Sequence, residues 1–154
     1  MPEMNAEIIT PAIIEAVNNK YAPDCGDVED IVSAYLDGYT SGYELAKELD
    51  DAYCWDMDIE LAEWLDGISS IADKAYHQYL DQWAKLHNIT LKYKPGDKVK
   101  YRGFEAVVSE IHKHRPLSYA IQYTGKTPYL SNAVVGSNCR QIVWFNDLKD
   151  ADNE

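Results

Sequence analysis

The sequence predicts an α+β protein, in which an acidic N-terminal helical bundle is followed by a small antiparallel β-barrel. Apolar residues recur at helical spacing up to about residue 90 and at alternate positions after the turn-forming run KPGD at residues 94–97. The charge changes at the same place. Residues 1–90 hold 19 acidic and 4 basic residues, whereas residues 91–154 hold 7 and 10. We therefore expect two domains, residues 1–90 and residues 91–154.

The first two helices are predicted from their start signals. Thr10 is expected to cap the first helix, with Pro11 at its first helical position, and this helix is expected to end before Pro23. Asp27, with Asp30 three residues later, predicts the start of a second helix.

The second helix is predicted to bury one apolar face, which carries Val28, Ile31, Val32, Tyr35, Leu36 and Tyr39 at 3.6-residue spacing. Gly38 and Gly42 weaken a helix. Because Ser41 with Glu44 offers a new cap, we expect a break or a kink near residue 40. Alternatively, the two glycines allow another helix to approach closely.

A long apolar stripe follows residue 60, and its members are Leu61, Leu65, Ile68, Ala72, Ala75, Tyr76, Tyr79, Trp83 and Leu86. Gly67 interrupts the stripe, so it predicts either one long helix or two. Asn88 is expected to end it. We interpret Tyr35, Tyr39 and Tyr76 first as core residues of a bundle of three or four helices.

Beyond residue 97 the apolar period is two. The alternating residues are Val99 and Tyr101, then Phe104, Ala106 and Val108, then Tyr119, Ile121 and Tyr123, then Ile142 and Trp144. Four or five short strands in about 55 residues predict a small barrel.

The run PGDKVKYRGFEAVVSEI, at residues 95–111, resembles the opening of SH3-like small barrels of the KOW and Tudor type. Those domains often begin with Pro-Gly-Asp, a short strand, a glycine turn and a second strand. Residues 141–149 resemble the last strand and the short turn that close such barrels. The resemblance covers residues 95–149, and it implies a fold more than a function, because such barrels bind RNA, DNA, peptides or proteins. No family is recognised for residues 1–90.

Motifs of catalytic, cofactor and metal sites are absent from the sequence. It has no phosphate loop, dinucleotide fingerprint, Gly-x-Ser-x-Gly, Cys-x-x-Cys or His-Glu-x-x-His. The DxDxE run at residues 56–60 begins like a calcium loop, but Leu61 stands where that loop needs glycine, so we interpret the run as a helix cap. We expect no enzyme activity, cofactor or metal. A small hydrolase or transferase that uses buried acids is the alternative from another class.

The expected compartment is the cytoplasm. The three cysteines, Cys25, Cys54 and Cys139, are far apart, which argues against a disulfide framework and fits a reducing environment. No window approaches the roughly 18 apolar residues of a membrane span, and the N-terminus lacks the pattern of a signal peptide. We therefore expect no membrane partner.

The strongest functional signal is the acidic, tyrosine-rich stretch at residues 35–58, together with the acids that follow it. The simple interpretation is a solvated helix face that keeps the protein soluble. The sharper hypothesis is a surface that mimics nucleic acid and binds the Lys and Arg side chains of a basic nucleic-acid-binding protein of a host. The candidate partner-binding residues are Tyr43, Glu44, Glu48, Asp50, Asp51, Tyr53, Trp55, Asp56, Asp58, Glu60 and Glu63. By size and charge, such a protein is similar to phage or mobile-element inhibitors of host defence, of the anti-CRISPR or anti-restriction type.

Basic residues give the barrel a positive side, and they are Lys98, Lys100, Arg102, His112, Lys113, His114, Arg115 and Arg140. This side predicts either docking on the protein's own acidic half or on a second copy in a homodimer, or contact with RNA or DNA. The alternative function is therefore a nucleic-acid-associated accessory protein. Direct nucleic-acid binding is the less favoured of the two functions because the acidic half repels phosphates.

Overall fold

A computed structural model of the chain describes residues 1–20, 27–125 and 140–151. The described residues form five α-helices followed by a five-stranded antiparallel sheet, which is the α+β class that the sequence predicts. The chain divides into two compact units. We call residues 2–79 the helical unit and residues 80–154, with Met1, the sheet unit.

The helical unit contains α1 (Ala6–Lys20), α2 (Val28–Leu36), α3 (Gly42–Tyr53), α4 (Ile59–Leu65) and the first part of α5 (Ile68–Leu86). Apolar residues from all five helices form one core, and its fully buried members include Ile9, Ile13, Ile31, Leu45, Leu49, Leu65 and Ile68. Burial of such side chains contributes about 1.5–3 kcal/mol each, so this core is the main source of stability for the unit.

The predicted start of the first helix is wrong. The helix α1 begins at Ala6, and the side chain of Asn5 accepts a hydrogen bond from the backbone N–H of Ile8 at 3.2 Å. Asparagine is as good a cap as threonine, so Asn5 starts the helix before the Thr10-Pro11 signal is reached. Pro11 therefore lies inside the helix. The predicted stop before Pro23 falls outside the described residues, and α1 is described as far as Lys20.

The break near residue 40 is confirmed. The helix α2 ends at Leu36, Gly38 turns the chain with a φ of 106°, and Ser41 caps α3 in a capping box with Glu44. The capping signal at Asp27 is also confirmed, because its backbone N–H donates to the Asp30 carboxylate.

The early end of α2 corrects the predicted apolar face. Ile31, Val32 and Tyr35 are buried as expected, whereas Leu36 and Tyr39 are exposed. Tyr39 lies beyond the helix end, where helical spacing no longer sets the direction of a side chain. The interpretation of Tyr39 as a core residue is therefore wrong.

The apolar stripe after residue 60 is split in two at Gly67. Within α5, Ile68, Ala72 and Tyr76 are buried, and Leu80 continues this i, i+4 series. Tyr79 lies one residue off the series and is exposed, as is Leu86 at the last helical position, so the prediction that the stripe buries these two is wrong. Asn88 has a φ of 52° just after the helix, as expected for a helix stop. The division between the two units falls inside α5, whereas the sequence placed a domain boundary at residue 90.

The sheet unit contains β1 (Lys98–Tyr101), β2 (Phe104–Ile111), β3 (Ser118–Tyr123), β4 (Arg140–Trp144) and β5 (Leu148–Asp150). The strands lie in the antiparallel order β4-β3-β2-β1-β5, and a 3₁₀ turn at Phe145–Asp147 joins the last two. One face of the sheet forms a core with Val99, Tyr101, Ala106, Val108, Tyr119, Ile121, Tyr123, Val143 and Leu148. The alternating pattern of the first three strands is thus confirmed.

The predicted facing of the β4 side chains is wrong. Val143 lies opposite the buried Tyr119, so it shares the core face, while Ile142 pairs with Ala120 on the other face and is exposed. Ile142, Val143 and Trp144 are consecutive apolar residues, so alternation alone does not show which of them face the core. The closing turn was expected at residues 146–149, but Leu148 and Lys149 belong to β5, which pairs with β1 as a strand. The long connection after Thr124 lies largely outside the described residues.

None of the helices in the described part of the chain combines the length and the apolar character that a membrane crossing requires.

Candidate functional site

Helices α3 and α4 approach each other unusually closely at Gly42. A Cβ atom at this position would lie 2.5 Å from a carboxylate oxygen of Asp66 and 2.6 Å from its backbone nitrogen, and it would also collide with the Ala62 carbonyl oxygen. The backbone N–H of Gly42 donates to the same Asp66 carboxylate at 2.6 Å. The end of α4 thus caps the start of α3, where a carboxylate also offsets the positive end of the helix dipole. Only glycine allows this approach.

The two helices border an open groove of about 490 Å³. We call it the acidic groove, and its lining residues are Tyr43, Ala46, Lys47, Asp50, Asp51, Met57, Asp58, Ile59 and Ala62. Four of the sequence-predicted residues come together here, namely Tyr43, Asp50, Asp51 and Asp58. The side chains of Tyr43 and Ile59 are 76% and 77% exposed, which is unusual for large apolar residues. The groove therefore combines exposed apolar surface with three carboxylates and one lysine.

Asp50 and Asp51 occupy an unfavourable place in their helix. They lie in the last turn of α3, which contains no basic residue. The C-terminal end of a helix carries partial negative charge, so carboxylates there destabilise the helix and cations would stabilise it. Both side chains are exposed, and neither forms an ion pair among the described residues. Lys47 lies one helical turn earlier, but it forms no ion pair with either carboxylate among the described residues.

Three of the predicted acids have structural contacts. The Glu44 carboxylate accepts from the Ser41 hydroxyl at 2.9 Å, and Asp58 caps α4 by accepting from the Leu61 backbone N–H at 2.7 Å. The Asp58 bond confirms that the DxDxE run is a helix cap. Glu48 hydrogen-bonds the Tyr39 phenol, and this contact raises the pKa of Tyr39 above its usual value.

The other predicted acids, which are Asp50, Asp51, Asp56, Glu60 and Glu63, are exposed and have no hydrogen bond or ion pair in the described part of the chain. Five free carboxylates within fourteen residues are available to a cationic partner. These five carry the charge of the candidate surface, whereas the three acids with structural contacts also hold the helices in place.

Trp55 does not belong to this surface. Its side chain is only 3% exposed, and its indole N–H donates to the Asp30 carboxylate at 2.9 Å, so the prediction that it supplies contact area is wrong. The cause is Cys54, which caps α3 in the left-handed conformation with a φ of 59° and turns the chain inward. Tyr53 is half-buried and packs against the core of the helical unit.

Sequence reasoning missed the apolar part of the groove. Ala46, Met57, Ile59 and Ala62 line it but were not among the candidates, and neither was Lys47. A usable signal existed on α3, where Tyr43, Lys47 and Asp50 follow the i, i+4, i+7 spacing of one helix face. The sequence offered the close approach of another helix at Gly38 and Gly42 as an alternative, and this approach occurs at Gly42, but no signal identified α4 as that helix.

Metal-ligating side chains do not cluster in the described residues. In residues 1–20, 27–125 and 140–151 no group of three or more His, Cys, Asp or Glu side chains could hold a metal ion. Cys54 is a free, exposed thiol, and the other two cysteines lie outside the described residues.

Comparisons with known proteins give no relative for this chain: no protein-family model matches it, and no curated protein or solved structure is significantly similar to it. Its function must therefore be argued from its own surfaces.

Proposed function

We propose that the protein is a non-catalytic binding protein whose acidic groove takes a basic segment of a nucleic-acid-binding protein in place of nucleic acid. The observation that carries the proposal is the pair Asp50 and Asp51, which line the acidic groove at the negative end of α3 and form no ion pair among the described residues. A feature that costs folding stability without a local benefit is expected where binding supplies the benefit.

The composition of the groove fits a cationic and partly apolar partner. Tyr43 and Ile59 offer apolar contact area, and aromatic side chains are enriched among residues that dominate binding. The carboxylates around them attract Lys and Arg side chains and repel phosphate groups. Inhibition of a host defence protein, of the anti-CRISPR or anti-restriction type, is the biological setting that we propose for such a surface, in the cytoplasm.

We further propose that residues 95–149 form an SH3-like barrel. The strand order β5-β1-β2-β3-β4 and the 3₁₀ turn before β5 support this fold. The first strand in the chain, β1, pairs with the last, β5, so β5 and β4 are the two edges of the sheet. Bending of the sheet would bring these edges towards each other and form the barrel. The bulge between Val108 and Glu110 supplies a bend in the longest strand.

The experiment that tests the proposed function is a charge reversal with a matched control. The D50K/D51K double variant changes the net charge of the groove by four units without touching a structural contact. The E3K/E15K variant makes the same charge change elsewhere on the helical unit, where both side chains are exposed. We expect the first variant to lose a partner that the wild type and the second variant retain.

A further inference from the structure

Three lysines share one face of the sheet, and their register was not visible in the sequence. Lys98 and Lys100 alternate with the buried Val99 on β1, so both point away from the core. Lys149 on β5 lies directly opposite Lys100 in the antiparallel ladder. We call these three residues the cationic sheet face.

The arrangement places like charges close together. Residues directly opposite in an antiparallel pair have Cβ atoms about 4.5–5.5 Å apart, and like charges at such positions destabilise the sheet. Glu105 lies opposite Lys100 on the β2 side. No ion pair between them forms, however, and none of the three lysines has an ion pair or ring contact within the described residues.

Other cations of the sheet unit do have partners. Lys92 forms an ion pair with Asp150, and Arg140 lies 3.8 Å from Glu110. Arg115 lies 4.0 Å above the ring of Trp144. The three lysines of the cationic sheet face have no such partner among the described residues, and they form a group on two neighbouring strands.

We propose that the cationic sheet face binds the phosphate backbone of nucleic acid. Neighbouring strands lie about 4.8 Å apart and alternate residues along a strand about 6.7 Å apart, so the sheet holds the three charges as a regular array that suits a regular polyanion. Between these lysines and Arg140, the same face carries the half-buried Val107 and Gln122, and the exposed Glu105 lies beside Lys100. Among the described residues, this part of the face has no exposed aromatic ring for base stacking. Contact is therefore made to phosphates and is independent of sequence.

This site is separate from the acidic groove and does not rest on the function proposed for it. The helical unit carries a large negative charge that opposes the approach of nucleic acid. We therefore expect weak binding, with a dissociation constant in the range of about 1–100 μM that is typical of non-specific contacts.

The salt dependence of binding gives a quantitative test. Three phosphate contacts predict a log–log slope of about −2.7 for duplex DNA and about −2.1 for a single strand. Between 50 and 200 mM salt, the affinity for a fluorescent 20-base-pair duplex should then fall about 40-fold. Parallel titrations with single-stranded DNA and RNA of the same length distinguish the source of the phosphates.

The decisive variant is K98Q/K100Q/K149Q, measured by fluorescence anisotropy at 50 mM salt. We expect it to lose detectable binding while its circular dichroism spectrum stays that of the wild type. The K74Q/K85Q/K94Q variant makes the same charge change at exposed positions off this face and should bind within about twofold of the wild type.

Several results would overturn the proposal. One is no binding by the wild type at 50 mM salt. Another is equal binding by the K98Q/K100Q/K149Q variant, or loss of binding on substitution of Lys113 alone, which would move the site to the β2–β3 loop. A third is that polyglutamate of the same charge binds as tightly as the duplex, or that the protein self-associates through the same lysines in a salt-dependent way. Either result would mean that the cationic sheet face binds an acidic protein surface, such as a second copy of the chain, instead of nucleic acid.

Discussion

Replacement of Gly42 by alanine tests the contact that forms the acidic groove. The added Cβ would meet backbone atoms of Ala62 and Asp66, which cannot move aside as a side chain can. Overpacking of this kind costs about 1–3 kcal/mol. Loss of the hydrogen bond from the Gly42 N–H to the Asp66 carboxylate costs about 1.5–3 kcal/mol more. The higher helix propensity of alanine offsets about 1 kcal/mol of this cost, so the G42A variant should lose about 1.5–5 kcal/mol of unfolding free energy.

Urea unfolding followed by circular dichroism at 222 nm measures this loss. With a slope of about 2 kcal/mol per molar urea, the midpoint should fall by about 0.8–2.5 M. The D66A variant separates the hydrogen bond from the steric clash and should lose about 1.5–3 kcal/mol. In G67A, a Cβ would meet only the Trp64 carbonyl oxygen at 3.3 Å, so we expect a small effect. A G42A midpoint equal to or above that of the wild type would refute the close approach of α3 and α4.

Three further predictions concern stability. The D50K/D51K variant should gain about 0.5–2 kcal/mol of unfolding free energy at low salt, because cations replace carboxylates at the negative end of α3. A urea midpoint equal to or below that of the wild type would contradict this prediction. The W55F variant should lose about 1.5–3 kcal/mol of unfolding free energy, because it removes the buried indole N–H that donates to the Asp30 carboxylate. Since that hydrogen bond is then already absent, the D30N/W55F variant should lose little more than W55F alone. Burial raises the pKa of Tyr119, so the neutral phenol is favoured in the folded state. The stability that this group contributes is fully present below its unfolded pKa of about 10 and is lost as pH rises through the higher folded value, which absorbance at 295 nm and urea midpoints at pH 8 to 11 can follow together.

Local signals in the sequence predicted much of the secondary structure. The capping pairs at Asp27 and Ser41 mark the starts of two helices, and both form because their hydrogen bonds are made within four residues. Strand alternation in β1 to β3 was equally readable, because each strand has one clearly apolar face. The errors at Asn5 and in β4 arose where local signals competed. Asn5 and Thr10 both offered a cap for α1, and in β4 the pairing with β3 decided which of three consecutive apolar residues faces the core.

The candidate site was less accessible to prediction. Charge density drew attention to the region from residue 43 to residue 63, and Tyr43, Asp50 and Asp51 indeed line the acidic groove. The burial of Trp55 could not be predicted, because it depends on a left-handed residue at Cys54 that is neither glycine nor asparagine. The pairing of Lys100 with Lys149 also could not be predicted, since it requires the long-range register between β1 and β5.

The most direct test of the central claim is capture from a bacterial lysate with the wild type, the D50K/D51K variant and the E3K/E15K variant as baits, each with and without excess duplex oligonucleotide. Captured proteins are identified by mass spectrometry, and the folding of each bait is checked by circular dichroism. The account predicts a basic nucleic-acid-binding protein that the wild type and E3K/E15K retain, that D50K/D51K does not retain, and that the oligonucleotide displaces. Retention of the same protein by D50K/D51K, or capture that nucleic acid leaves unchanged, would contradict the claim that the acidic groove stands in for nucleic acid.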